Sequence, residues 1–285
     1  MIFNRIIISC TVFFLFLCPL LDSTMLSAQE EEAPPPLLAD TNGDGMITIA
    51  AFGDSITRGV GDFVPVGEFV DDFTGISPTG EAGYPLRVEL TMGISVANLG
   101  KPGERDATGG VYRFAAVIPS HQSDIVVISE GTNDAQFQTD PNKVYRATQA
   151  MINIARASGK TPVLATIPPA CCMRFGLNTW IENYNVGFRE LALVNDITLA
   201  DVNHAYANTC NLEECYLLNL PEGAHPNVRG YDVIAEVIMA ALLQIPIFAP
   251  DGAVQLQTAL GQPDFTAITR PDPVPAAIAR TNAVQ

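Results

Sequence analysis

The chain has 285 residues, 48% of them hydrophobic, and its 31 acidic side chains outnumber 15 basic ones to give a net charge of −16. That acidity argues against a nucleic-acid or anionic-membrane binding face. The apolar content is enough for one sizeable core in one domain of ordinary size.

In chain order, residues 1–5 carry one positive charge, residues 6–21 are apolar apart from Ser9 and Thr11, and a small-residue boundary follows at Leu26-Ser27-Ala28. This layout predicts a secretory signal peptide over residues 1–28, hence a secreted or periplasmic protein with no membrane attachment after cleavage. An uncleaved anchor is disfavoured, because the apolar run is short for a span of about 20 residues. Residues 29–45 form a linker, Glu/Pro-rich over 30–38. Within it Asp40-Thr-Asn-Gly-Asp-Gly matches the start of a calcium-binding EF-hand loop, but position 12 is Ala51 rather than a carboxylate. The stretch reads as a solvated turn into the first strand, and no metal is expected.

From residue 46 short β-branched runs alternate with amphipathic stretches. Strands are predicted at 46–52, 94–99, 124–129, 161–167 and 197–202, and helices at 84–92, 111–118, 141–157, 179–194 and 228–243. Pro141 opens the third of these helices and Gly159 follows its end. The alternation implies a parallel sheet covered on both faces. The domain is expected over residues 46–243, with a loosely packed tail over 244–285 that is rich in Ala, Pro and Thr. The loop from Gly59 to Gly83 is long for a strand–helix connection; it holds Phe63, Phe69, Phe73 and five acids but no Lys or Arg. Such loops tend to be functional, and this one is expected to border the substrate cleft.

Four short motifs each follow or end a predicted strand: Gly53-Asp54-Ser55-Ile56-Thr57, Asn98-Leu99-Gly100-Lys101-Pro102-Gly103, Gly131-Thr132-Asn133-Asp134 and Glu222-Gly223-Ala224-His225-Pro226-Asn227. Ligands of open parallel sheets bind outside the carboxyl ends of the strands, so groups scattered along the sequence converge on one rim. Their chemistry fits acyl transfer. A serine hydroxyl, Ser55, needs an adjacent base, which His225 supplies. The oxyanion of a tetrahedral intermediate needs fixed donors, for which the Ser55 N–H, the Gly100 N–H and the Asn133 amide are candidates. Glu222 is placed to orient the His225 ring. Asp54 and Asp134 read as loop-ordering acceptors. His121 reads as a surface residue, and His204, beside Asp201 at a strand end, is a rival base. Residues 53–57 lack the Gly-x-Ser-x-Gly elbow of an α/β-hydrolase.

These four blocks closely resemble those of the SGNH hydrolases, the GDSL-type esterases and lipases, with Ser55, Gly100, Asn133 and His225 as the named Ser, Gly, Asn and His. The resemblance runs from about residue 47 to 243. It implies a flavodoxin-like three-layer α/β/α sandwich with strand order 2-1-3-4-5, a serine esterase mechanism and no cofactor. One departure is Glu222, where the family usually has Asp. The expected activity is hydrolysis of short acyl esters through an acyl-enzyme, with O-acetyl groups on carbohydrate as a candidate substrate. An acyltransferase using the same acyl-enzyme, a lipase or lysophospholipase, and a non-catalytic binding module are the alternatives. Four cysteines remain after the signal, and export favours disulfides over a zinc site. The implied strand order sets the loops holding Cys171–Cys172 and Cys210–Cys215 side by side, so a bond joining the two pairs is expected. A local Cys210–Cys215 bridge is the competitor and a vicinal Cys171–Cys172 bond the least favoured.

Overall fold

The computed structural model describes residues 37–63, 82–246, 255, 259 and 260. Residues 1–36, where the signal peptide is expected, residues 64–81 of the long acidic loop and nearly all of the tail lie outside the described residues.

Five strands, β1 (Thr48–Gly53), β2 (Ser95–Gly100), β3 (Ile125–Ser129), β4 (Thr161–Ala165) and β5 (Thr198–Ala200), pair in parallel in the order β2-β1-β3-β4-β5. This is the expected doubly covered sheet. Side chains alternate between faces along each strand. Ile49, Ala51, Ile125, Val127, Val163 and Ala165 enter the core beneath α2 (Gly83–Met92), α7 (Val202–Thr209) and α8 (Val228–Leu242). Ala50, Phe52, Val126, Ile128 and Leu164 face α3 (Val111–Val117), α5 (Pro141–Ala157) and α6 (Asn178–Val194). The result is a three-layer α/β/α sandwich.

Predicted and observed elements differ mainly at strand ends, where short helices intrude. The α1 turn (Ser55–Arg58) follows β1 and α4 (Thr132–Gln136) follows β3. At β5, Asp201 caps α7 by accepting from the His204 N–H, which ends the strand at Ala200. The α5 and α8 helices start where a short polar side chain satisfies free N–H groups: Asp140 accepts from Asn142, and Asn227 from Arg229 and Gly230.

Two features tie the layers together. Arg87, 1% exposed, is ion-paired with Asp62 and with Asp232, each at 2.6 Å, and so fastens α2 to α8 and to the turn after α1. Asp40 and Asp44 accept backbone N–H bonds within their own turn, while Asp124 accepts from Thr41, Asn42 and Thr48. The expected disulfide between the two cysteine pairs is not formed. Cys210 bonds Cys215 instead, and Cys171 and Cys172 are free. The tight turn after α7 brings the Cα atoms of Cys210 and Cys215 to 5.1 Å, inside the range a disulfide spans.

Candidate active site

The turn from β1 into α1 is built around Ser55. Asp54, 1% exposed, caps α1 by accepting from the Ile56 N–H at 2.8 Å. Gly53 is forced by crowding, since a Cβ there would sit 2.3 Å from the Ser129 carbonyl oxygen. Ser55 is thereby fixed at the first residue of the helix, at the carboxyl edge of the sheet. His225 reaches it from the loop before α8, with Nε2 2.9 Å from Ser55 Oγ. That loop is held by Asn219, whose amide donates to the Gly61 and Pro226 carbonyls at 2.9 Å each and so joins the turn after Ser55 to the one after His225.

Glu222 curls back onto the base. Its Oε2 lies 3.4 Å from His225 Nδ1 and accepts from the Ala224 and His225 N–H groups at 2.8 and 2.9 Å. Burial works against its charge. The His225 ring and the two N–H donors outweigh burial and hold the carboxyl below the ordinary glutamate range. Arg174 Nε stands 3.6 Å from the other oxygen, Oε1, and its guanidinium also bonds Gln136.

Asn133 lies in α4, entered through Gly131 at φ 114°. Its Nδ2 donates to the Glu104 carbonyl at 2.8 Å and lies 3.5 Å from Asp54 Oδ2. Ser55, Asn133, Glu222 and His225 line one cavity of about 280 Å³, with Phe137, Leu177 and Ala224 as apolar wall and Gly103, Thr132, Gln136 and Arg174 around it.

Gly100 does not line this cavity, contrary to expectation. Its N–H donates to Asn98 Oδ1 at 3.0 Å, and a Cβ there would meet the Arg58 backbone nitrogen at 2.2 Å. Gly100 is a packing glycine beneath α1. The glycine on the cavity is Gly103, at φ +74° with open space around a notional Cβ among the described residues. The same motif contains both, and spacing alone does not separate them. His204 is exposed on α7 and pairs with Asn208, and Asp201 is taken up by Arg189 and Thr166. Neither lines the cavity. Asp134 Oδ2 accepts from the Asp106 N–H at 2.6 Å, a loop-ordering contact like that of Asp54. The residues that sequence reasoning missed are Gly103, Gln136, Phe137, Arg174 and Leu177 on the cavity and Asn219 behind it.

The model of the GDSL-like Lipase/Acylhydrolase family matches residues 51–233. The chain belongs to that family. The GDSL-type match spans all four blocks, and its members hydrolyse esters. Similar solved structures share the fold of this GDSL-type chain. A lipolytic protein of the G-D-S-L family from Desulfitobacterium hafniense DCB-2 is 21% identical, covering 68% of this chain and 98% of that one at a TM-score of 0.55. The lipase/acylhydrolase from Enterococcus faecalis is 24% identical, covering 68% and 93% at 0.54. Axe2, an acetylxylan esterase from Geobacillus stearothermophilus, is 19% identical, covering 69% and 94% at 0.54. A comparison with curated protein sequences returns no match.

Proposed function

We propose that this GDSL-type hydrolase is an exported serine carboxylic-ester hydrolase that removes short acyl groups, with O-acetyl groups on carbohydrate as its substrate class. The observation that carries the reading is the 2.9 Å contact between Ser55 Oγ and His225 Nε2. Ser55 Oγ attacks the ester carbonyl carbon as His225 Nε2 takes its proton, and the carbonyl electron pair becomes an oxyanion. The Ser55 and Gly103 N–H groups and the Asn133 amide are the donors assigned to that oxyanion. Collapse of the intermediate expels the alcohol, which takes its proton from the imidazolium. Water, deprotonated by the same nitrogen, then releases the acid and restores Ser55. Glu222 fixes the ring tautomer through Nδ1 and stabilises the imidazolium.

A cavity of about 280 Å³ with a short apolar wall suits an acyl group of a few carbons better than a long chain. The acetylxylan esterase among the fold neighbours supports the carbohydrate side of the reading. Export follows from the signal-like residues 1–28 and is tested by N-terminal sequencing of secreted protein, expected to begin at Gln29. A p-nitrophenyl ester series from acetate to palmitate, with acetate release from acetylated xylan alongside, tests the activity. The kcat/KM is expected to peak at two to four carbons and to vanish in Ser55→Ala. Equal or better turnover of palmitate overturns the short-acyl assignment, and turnover surviving in Ser55→Ala overturns the mechanism.

A further inference from the structure

Cys171 and Cys172 follow β4 and lie against the turn that carries Glu222. The Cys171 N–H donates to the Gly223 carbonyl at 2.7 Å, and the Met173 N–H to the Pro221 carbonyl at 3.3 Å. Packing there is so close that a Cβ on Gly223 would sit 2.2 Å from the Cys171 carbonyl oxygen. The two sulfurs are 2.6 Å apart, with Cys171 extended and Cys172 at φ 54°, a conformation side chains rarely adopt. Two unbonded sulfurs do not pack at that separation. The neighbouring loop already holds the Cys210–Cys215 disulfide, and Cys172 Sγ lies 3.7 Å from the Glu213 carbonyl inside it. A chain that forms one disulfide here meets oxidising conditions.

We propose that Cys171 and Cys172 close a vicinal disulfide, a reversible redox site that stiffens the turn holding Glu222. Its control of Glu222 as a positioning residue rests on the esterase reading; the bond itself does not. The oxidant is a low-molecular-weight disulfide. Cys172 is the half-exposed thiol; its thiolate attacks one sulfur of the oxidant and displaces the first thiolate. The Cys171 thiolate then attacks Cys172 Sγ, forms the vicinal bond and displaces the second. The two protons lost by the cysteines go to the two departing thiolates, so the cysteines are oxidised and the external disulfide reduced. Burial pushes the Cys171 thiol up to about 12, which leaves the first attack to Cys172; the second step is favoured by geometry, because its target sulfur is already in contact. Adjacent Cα atoms stand about 3.8 Å apart, below the usual disulfide range of about 4.4–6.8 Å, so the bond is strained and opens before ordinary ones.

The test exposes the whole protein to glutathione disulfide, caps thiols with N-ethylmaleimide under denaturing conditions, and maps tryptic peptides without reduction. Peptide 161–174 is expected free of maleimide and lighter than the dithiol by two hydrogens. Two maleimides, a glutathione adduct or a cross-link to another cysteine overturns the bond. The second arm reads hydrogen exchange at the Ala224 and His225 amides, both donors to Glu222 Oε2. With the vicinal bond opened and Cys210–Cys215 intact in the same map, exchange is expected to quicken several-fold. Unchanged exchange overturns the stiffening, and neither arm depends on esterase activity.

Discussion

Gly100 and Gly103 stand three residues apart and are glycine for opposite reasons. The first has no room for a side chain because the Arg58 backbone presses on it. The second has room, but its left-handed backbone turns it onto the cavity. Gly100→Ala is therefore expected to destabilise the fold by several kcal/mol, about the cost of forcing backbone apart in a packed core. Gly103→Ala is expected to keep most of the stability and lose about 10²-fold in kcat, as for an oxyanion donor displaced. Chemical denaturation and kinetics on both variants check this, and the reverse pattern sinks the assignment. Glu222 carries the second prediction. A carboxylate beside an imidazole favours the charged ring and raises its pKa. Removing it in Glu222→Gln should move the acidic limb of the kcat/KM profile to lower pH while kcat falls by up to about 10⁴-fold. A limb that stays in place shows that Glu222 does not act on His225. Ser55, Asn133, His225 and Glu222 were legible in the sequence because each sits in a short motif tied to a strand end. Arg174 and Gln136 were not, since they reach the cavity through folding of the Cys172–Leu177 turn and α4, for which no local pattern speaks.

At the scale of elements, the loop between the Cys210–Cys215 disulfide and α8 has little regular structure and still brings His225 Nε2 to 2.9 Å from Ser55 Oγ. It is held by polar side chains. Asn227 caps α8 and also donates to the Tyr216 and Leu218 carbonyls, while Asn219 bonds Gly61 and Pro226. Asn219 is 8% exposed, so its loss leaves buried carbonyls without donors at a cost of about 1–3 kcal/mol. Asn219→Ala should lower stability by that amount and lower kcat at least tenfold, because the distance from Ser55 to His225 is set through this side chain. Urea unfolding with steady-state kinetics measures both, and a kcat within about twofold of wild type removes Asn219 from the positioning machinery. Elements with strong signals, such as α5 between Pro141 and Gly159, were read from the sequence with their ends intact. The α7 helix was not. Its residues continue an apolar run out of β5, and only the tertiary fate of Asp201, bound to Arg189 and Thr166 while capping the helix, decides where the strand stops.

Across the whole molecule, the net charge of −16 is not confined to the surface. Asp54, Asp106 and Glu130 are buried behind the serine turn, and neither Glu130 oxygen has a hydrogen-bond partner among the described residues. Arg113 is 3.8 Å from Glu130 Oε1 and is engaged mainly by Glu104. Burial first, then the like charges of Asp54 and Asp106, raise the Glu130 carboxyl well above its ordinary range, and burial lifts Asp54 to about 6. A carboxyl raised in the folded state binds protons more tightly there than in the unfolded chain. Its stabilisation is complete below the unfolded value and is lost as pH rises through the folded one. Carboxyls held low in the fold, Glu222, Asp201 and Asp124, act the other way, but their gain is complete once pH exceeds the ordinary carboxylate range. His121, lowered mainly by burial, also gains stability as pH rises toward its unfolded value of about 6.5. The separable quantity is therefore a difference. Glu130→Gln keeps the size of the neutral acid and removes its titration. The Tm of this variant minus that of wild type should grow steadily from pH 5 to pH 8, because only wild type must ionise a buried group or hold its proton against rising pH. Thermal unfolding of both proteins across that range decides it, and a gap independent of pH means that Glu130 ionises in the native protein as easily as in the unfolded chain.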